Sequence, residues 1–500
     1  MDASATAAPE AIEGPPRSSL RFSLDEARFI ALAGNPALGA PGISRRIQHR
    51  FFDTEDFALA RQGITLSLRK AGRNLRLELL CKGETLEAAT ASHVPDPAAF
   101  GPEWQATLTA ALNNAPLHET ASASIKQTTR ELGENRLVFE TGSVIARDQK
   151  IPFSEMEISG PALSLPESAL ALAAGPTLRL QPESLGPRAV RQAGGPPPSV
   201  HKAGQGLEGE PCLDDAVADI MRACLEQFIT NWPVFYEGDE VGAVHQMRVA
   251  MRRLRSALGL FSRALPAPEF LTLRNEAKRI AASMGEARNW DVFIAMLRNG
   301  PAAAFPDEAG FAALEAQCAA HRQAGYAKVR ALLEDPATTR FLLTAQALVA
   351  RRGWRGALPA ETLPSLAEPA KTFGARSLAR LYRKLRKQGK HLASLPAQDR
   401  HQVRIDLKKL RYAAEFFGGL LESRSRVRAF NHAASVLQDE LGKLNDMVTA
   451  EALAARLRAD SPEATRALGI VTGWAAHAKL GNPRAIAAAW KEFRDAKPLA

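Results

Sequence analysis

VHQMRVAMRRLRSALGLF at 244–261 and HQVRIDLKKLRYAAEFF at 401–417 decide how this chain is read. They align at an offset of 156 over His245/His401, Arg248/Arg404, Arg252/Lys408, Arg253/Lys409, Leu254/Leu410 and Arg255/Arg411. A second pair, MGEARNWDV at 284–292 and LGKLNDMV at 441–448, follows each segment at nearly the same distance. Two matched pairs in one order mean an internal duplication of a helical unit.

Within each copy the residues sort by face. Val244, Met247, Met251, Leu254, Leu258 and Phe261 recur at spacings of 3 and 4, which predicts one apolar stripe facing a bundle core. His245, Arg248, Arg252 and Arg255 lie one residue further on, about 100° round the helix, so a cationic row borders the core stripe. Arg404, Lys408 and Arg411 repeat that row beside Val403, Leu407 and Leu410. A third row, Arg376, Arg380, Arg383, Lys387 and Lys390, accompanies Leu378, Leu381 and Leu385 just before the second copy. At 1.5 Å per residue each row extends roughly 15–20 Å, enough to meet several successive phosphates. Arginine supplies forked donors and lysine a mobile point charge, a mixture that holds a polyanion without demanding one register. A cationic helix face is ordinarily just solvated. Here the i,i+4 acidic partners are nearly absent and both copies keep the row.

Charge along the chain agrees. Residues 1–200 hold 20 Lys+Arg against 22 Asp+Glu, leaving 44 against 32 of the chain's 64 and 54 for residues 201–500. The whole basic surplus thus sits with the repeat, where it favours acidic partners and salt-sensitive association. Four cysteines, Cys81, Cys212, Cys224 and Cys318, form no CxxC pair and no zinc-ligand spacing, which suggests a reducing compartment. The opening MDASATAAPEAIEGPP has no basic start and no apolar run, and no stretch of 18 uncharged apolar residues follows. A soluble, cytoplasmic protein without a membrane span is expected.

Between about Gly175 and Pro211 the chain is dense in Gly and Pro and reads as a linker. Ahead of it RIQHRFF, GITLSLRK, LRLELLCKG, NRLVFETGSVI and PFSEMEISG read as short strands. After it come eight or more helices broken at prolines such as Pro266, Pro301, Pro336 and Pro396. The expected organisation is a disordered tail at 1–17, a β domain at 18–175, a linker at 176–210 and a helical domain at 211–492, with repeats at about 211–335 and 370–492.

The signature HxxRVxxRRLRxxLxLF with MGxxRNxDV, then HxxRxxxKKLRYxxEFF with LQDxLGxxND, resembles the CHAD family over about 207–490. That resemblance implies two similar four-helix bundles with a basic cleft or pore binding inorganic polyphosphate. Carried over by that resemblance, His245, Arg248, Arg252, Arg253, Arg255, His401, Arg404, Lys408, Lys409 and Arg411 would line it. The family usually has Arg-Asp-x-Asp where this chain has Arg288, Asn289, Trp290 and Asp291. The first part is similar to the CYTH, or triphosphate-tunnel, family through FFDTEDFALARQGITLSLRK at 51–70, Lys82 and FSEMEISG at 153–160. This implies an antiparallel β-tunnel in which glutamates hold a divalent metal and inward Arg/Lys grip phosphates. The family's opening Glu-x-Glu-x-Lys would fall on Arg17, Ser19 and Arg21, and its Leu-Arg-x-Arg strand survives as Ser67 and Arg69.

Metal-assisted phosphoryl transfer needs clustered oxygen ligands. Only Glu155 and Glu157, on one strand face, are left as metal candidates, so the tunnel reads as non-catalytic, with Arg69, Arg76, Lys82 and Arg130 as phosphate contacts. The fold class expected is α+β multidomain, an antiparallel β-tunnel followed by an all-α repeat. The function expected is polyphosphate binding, with Arg376, Arg380, Arg383 and Lys387 added to the site, no cofactor required for binding, and residence on polyphosphate granules. Two alternatives stand: a Mg²⁺- or Mn²⁺-dependent inorganic triphosphatase using others such as Glu78 or Glu140, and a general polyanion or nucleic-acid binder. Against the latter, the basic rows lack interleaved aromatics on which bases would stack.

Overall fold

A computed structural model describes residues 17–40, 42–81, 83–173, 178–479 and 482–499. Two compact units divide between Pro197 and Pro198. Among the described residues no helix is long and apolar enough to cross a membrane.

The first unit is one antiparallel sheet with short helices. Its strands are β1 (Arg17–Ser23), β2 (Ser44–Asp53), β3 (Ile64–Ala71), β4 (Asn74–Cys81), β5 (Glu84–Ala89), β6 (His118–Leu132), β7 (Asn135–Ala146), β8 (Gln149–Pro161) and β9 (Arg179–Leu180). They run in the order β5-β4-β3-β2-β6-β7-β8-β1-β9. Helices α1 (Glu26–Ala33), α2 (Ala58–Arg61), α3 (Pro102–Leu112), α4 (Leu165–Leu172) and α5 (Leu185–Gln192) pack on it. Alternation sets the faces: Leu66, Leu68, Leu77 and Leu79 join Leu108 and Leu112 of α3 in one core, while Ser67, Arg69 and Glu78 point the other way. Seven strands contribute to a single cavity of about 200 Å³, so the sheet is curled into a tunnel.

The Gly/Pro-rich stretch expected as a linker contains β9 and α5, and both belong to the first unit. Leu185, Ala189 and Val190 are buried with Ile47, Phe51 and Val144. Gly186 lies so close to the sheet that a Cβ would come within 2.8 Å of the Thr65 methyl. Pro187 falls in the first turn of α5, where backbone N–H groups have no intrahelical partner in any case. The glycine and proline that looked like linker composition serve a close helix-to-sheet contact. Residues 1–16 of the expected tail lie outside the described residues.

The second unit is helical: α6 (Leu213–Glu237), α7 (Glu240–Phe261), α8 (Pro268–Ser283), α9 (Gly285–Leu297), α10 (Gly310–Glu334), α11 (Pro336–Arg351), α12 (Ala370–Gln388), α13 (Ala397–Leu421), α14 (Arg424–Ala454), α15 (Pro462–Lys479) and α16 (Pro483–Asp495). The offset of 156 lays α6 on α12, α7 on α13, and α8 with α9 on the continuous α14. Asp239 caps α7 by accepting from the Gly242 N–H at 2.9 Å. All six apolar residues of the α7 stripe are fully buried, as are Leu407 and Leu410 on α13. At roughly 1.5–3 kcal/mol per large side chain, that stripe alone favours docking by about 9–18 kcal/mol before ordering entropy is counted. Phe261, Phe373 and Phe417 form a three-ring cluster with centroids 5.7–6.4 Å apart, tying the two copies together. A second core, Trp290, Phe293, Leu314, Leu453 and Val471, joins α9 and α10 to α14 and α15.

Candidate functional site

Where α7 and α13 face each other, the flanking cationic rows meet in a cleft of two connected chambers. The narrower, about 220 Å³, is lined by His245, Arg248, Arg252, Arg288, Asn289, Arg404, Lys408, Asn445 and Asp446. The wider, about 1120 Å³, is lined by Arg248, Arg252, Arg255, Arg263, Arg274, Lys278, Arg380, Lys384, His401, Asp406, Lys408 and Lys409. Arg248, Arg252 and Lys408 belong to both and form the passage between them. Twelve Lys and Arg side chains therefore line the cleft against two carboxylates, Asp406 and Asp446. Such an excess is electrostatically costly and calls for an anion.

Burial sharpens this. Lys408 is pushed down to about 6 by desolvation, with the Arg252 and Arg404 guanidiniums adding to the effect. Arg248 is held down at about 10 by burial and by Arg252, Arg288 and Arg404. Arg404 and Arg255 are lowered as well, each first by burial, and His245 is lowered by burial and by Arg288, Arg252 and Arg248. The Nε atoms of Arg248, Arg255 and Arg404 are buried without a hydrogen-bond partner. Donors in that condition gain most from incoming phosphate oxygens.

The two carboxylates act as struts. Asp406, buried, accepts from Lys384 at 2.7 Å and Lys409 at 3.0 Å, and from Gln388 and Gln402 at 3.2 Å. Burial opposes its ionisation, but the two ammoniums hold it at about 2. Asp446 lies 4.0 Å from Arg404.

Not every residue expected here arrives. Arg253 is 5% exposed, 3.5 Å from half-buried Glu415 and over the Phe416 ring, and lines neither chamber. Its place follows from a second seam on α7, where Ala243, Ala250 and Ala257, also fully buried, leave room for it. Arg411 is drawn to the same carboxylate at 3.5 Å. Arg376 forms a two-pronged pair with Glu368 at 2.9 Å, and Arg383 and Lys387 are exposed outside either chamber. Of the α12 row, only Arg380 and the neighbouring Lys384 reach the cleft. Missed from sequence were Arg274 and Lys278 on α8 and Asp406. The spacing of 4 between Arg274 and Lys278 was a usable signal, masked by the intervening Glu276.

The first unit's cavity is differently charged. Arg69 lines it and lies 3.5 Å from Glu78. Arg76 stands on the same strand face toward the rim, paired with Glu87 at 2.8 Å. Arg130 is no phosphate contact: buried, it donates to the backbone carbonyls of Asn35 at 2.9 Å and Gly39 at 2.6 Å and to that of Ala33, tying down the end of α1. Lys82 lies outside the described residues. Arg21 pairs with Glu157 and approaches Glu155 at 3.8 Å, while Arg188 of α5 donates to Glu155 at 2.5 Å. Both metal candidates are thus neutralised by guanidiniums, and among the described residues no group of three or more potential ligands could hold a metal. Burial raises Glu78 to about 7 and raises Glu140 too. Carboxylates that resist ionisation are poor ligands for Mg²⁺ or Mn²⁺.

Residues 219–455 match the CHAD domain family. The crystal structure of the CHAD domain from the plant Ricinus communis is similar at 31% identity, covering 59% of this chain and 96% of that one, with a TM-score of 0.50. PptA from Streptomyces chartreusis matches at 19% identity over 57% and 99% of the two chains, TM-score 0.42. A candidate adenylate cyclase from Bacillus halodurans matches at 16% over 31% and 87%, TM-score 0.24. Neither of the last two likenesses is strong enough to support an argument. No curated protein matches.

Proposed function

Because the chain belongs to the CHAD family, we propose that it binds inorganic polyphosphate in the cleft between α7 and α13, as a binding protein rather than an enzyme. The observation that carries this reading is Lys408. It lines both chambers among Arg248, Arg252 and Arg404, its ammonium pushed down to about 6 first by burial and then by the Arg252 and Arg404 guanidiniums, and a phosphate chain threaded past it restores its charge. Successive phosphates, each bearing one charge, match cations spread through both chambers better than a single compact anion does. Arg248, Arg252, Arg255, His401, Arg404 and Lys409 then share the chain's oxygens, with Asp406 holding Lys384 and Lys409 at the wall.

Nucleic acid is the weaker occupant. Tyr412 and Phe293 are the only Phe, Tyr or Trp side chains lining the two chambers among the described residues, too few for a stacking platform. Binding needs no cofactor. The tunnel-like first unit, its arginines and glutamates already matched, has no catalytic part in this reading. Cytoplasmic residence with association to polyphosphate granules belongs to the same proposal.

The test is Arg252→Glu with Lys408→Glu, which places carboxylates at two of the three cationic positions shared by the chambers. Polyphosphate affinity falls by at least a hundredfold, with circular dichroism and melting temperature close to wild type because relief of repulsion offsets lost contacts. Retained affinity in the folded double variant overturns the proposed site.

A further inference from the structure

The two copies of the repeat are not electrostatically equal in the narrow chamber. Arg248 and Arg404 occupy matching places: a Cβ at Gly285 would sit 3.6 Å from Arg248 Nη2, and a Cβ at Gly442 would sit 3.6 Å from Arg404 Nη2. These glycines are 157 residues apart, and counting four further along each helix pairs Asn289 with Asp446. Both line the chamber. In the second copy, Asp446 stands 4.0 Å from Arg404 as its counterion. In the first copy the carboxylate is replaced by the neutral amide of Asn289, and Arg248 has no acidic partner among the described residues.

The asymmetry extends to the neighbours. Counting the same way, Arg288 of the first copy corresponds to Asn445, and both line the chamber. His245 lines it too, whereas its counterpart His401 opens into the wide chamber. One wall therefore presents Arg248, Arg252, Arg288 and His245 with no carboxylate. The opposite wall presents Arg404 and Lys408 beside Asp446. Internal phosphates of a polyphosphate chain carry one charge each, but a terminal phosphate has a second ionisation near neutrality and reaches about −2. Forked guanidiniums converging on one small space suit such a group.

We propose that the narrow chamber is an end-recognition subsite, in which the Arg248, Arg252, Arg288 and His245 wall holds the dianionic terminal phosphate while the rest of the chain lies in the wide chamber. This rests on the polyphosphate reading of the cleft and adds a polarity to it: one chain end is seated, and chains with free ends are preferred over chains without them.

Full-length protein is titrated with linear polyphosphate of defined length and with the same chain whose terminal phosphates are capped as monoesters, which removes the second ionisation and leaves the internal phosphates intact. Wild type prefers the free-ended chain by about tenfold, the effect of one well-placed charge. Asn289→Asp restores the counterion that the first copy lacks and abolishes the preference, bringing both chains to the capped level. Asp446→Asn, an equally small change on the opposite wall, keeps the preference and tightens both chains. Equal affinity of wild type for free and capped chains overturns the subsite while leaving polyphosphate binding intact, as does a preference that survives Asn289→Asp. Absence of saturable binding to either chain removes the polyphosphate reading and the subsite together.

Discussion

Binding of polyphosphate at pH 8 should draw close to one proton from solution, and Lys408 should be where it goes. In the free protein this ammonium is held down at about 6, so at pH 8 it is mostly neutral. A phosphate oxygen in the passage between the chambers restores an ordinary lysine, protonated at that pH. The sign follows: the free form holds fewer protons than the bound form between about pH 6 and pH 10, so affinity falls as pH rises through that window. Charging Lys408 at pH 8 against a value of about 6 costs roughly 3 kcal/mol, reduced toward 2 because water enters the cleft. The dissociation constant therefore weakens up to about a hundredfold between pH 7 and pH 9. Calorimetry in buffers of different ionisation enthalpy reads the uptake directly. At pH 8 His245, itself lowered, is neutral in the free protein, and terminal phosphates are already ionised. Lys408→Met should flatten the pH dependence and remove the uptake. It should also raise the melting temperature near neutrality, since folding no longer discharges a lysine. Uptake below about 0.2 proton in wild type, or equal uptake in Lys408→Met, refutes the reasoning.

Other consequences separate structural from binding cations. Arg253→Met leaves half-buried Glu415 with only Arg411 beside it, and should cost about 2 kcal/mol by chemical denaturation while polyphosphate affinity changes less than threefold. Arg376→Ala, outside the cleft, should alter neither stability nor affinity beyond about 0.5 kcal/mol and twofold. Arg130→Ala removes a side-chain donor from the Ala33, Asn35 and Gly39 carbonyls, and should destabilise the first unit by roughly 2–3 kcal/mol without touching polyphosphate binding. Millimolar Mg²⁺ or Mn²⁺ should leave the melting profile unchanged and release no phosphate from tripolyphosphate, because Glu155 and Glu157 are held by Arg188 and Arg21.

The duplication and the stripe of α7 could be read directly, because a fixed repeat and a 3.6-residue period are properties of the sequence itself. Arg248, Arg252, Arg255, Arg404 and Lys408 follow from that geometry. Arg253 does not, since in a run of adjacent arginines the period names the dominant seam alone. Only the alanines at 243, 250 and 257, seven apart, hinted that a second helix packs there. Asp406 was invisible for a related reason: a single carboxylate in a basic helix looks solvated until α12 brings Lys384 and Gln388 against it. In the first unit the strand segments were legible from alternation, but the pairing of Arg21 with Glu157 depends on an antiparallel register 136 residues apart in sequence. That register turns two apparent metal ligands into salt-bridge partners. The joining of α9 and α10 to α14 and α15 in one core likewise has no local signature.

The most direct test is equilibrium binding of long-chain polyphosphate, tripolyphosphate and duplex DNA to the purified full-length protein across a salt series, with phosphate release followed alongside. Tight binding of long-chain polyphosphate, markedly weaker binding of the other two and no phosphate release is the predicted result. Equal and steeply salt-sensitive affinity for DNA and polyphosphate would contradict it, reducing the cleft to a generic basic surface.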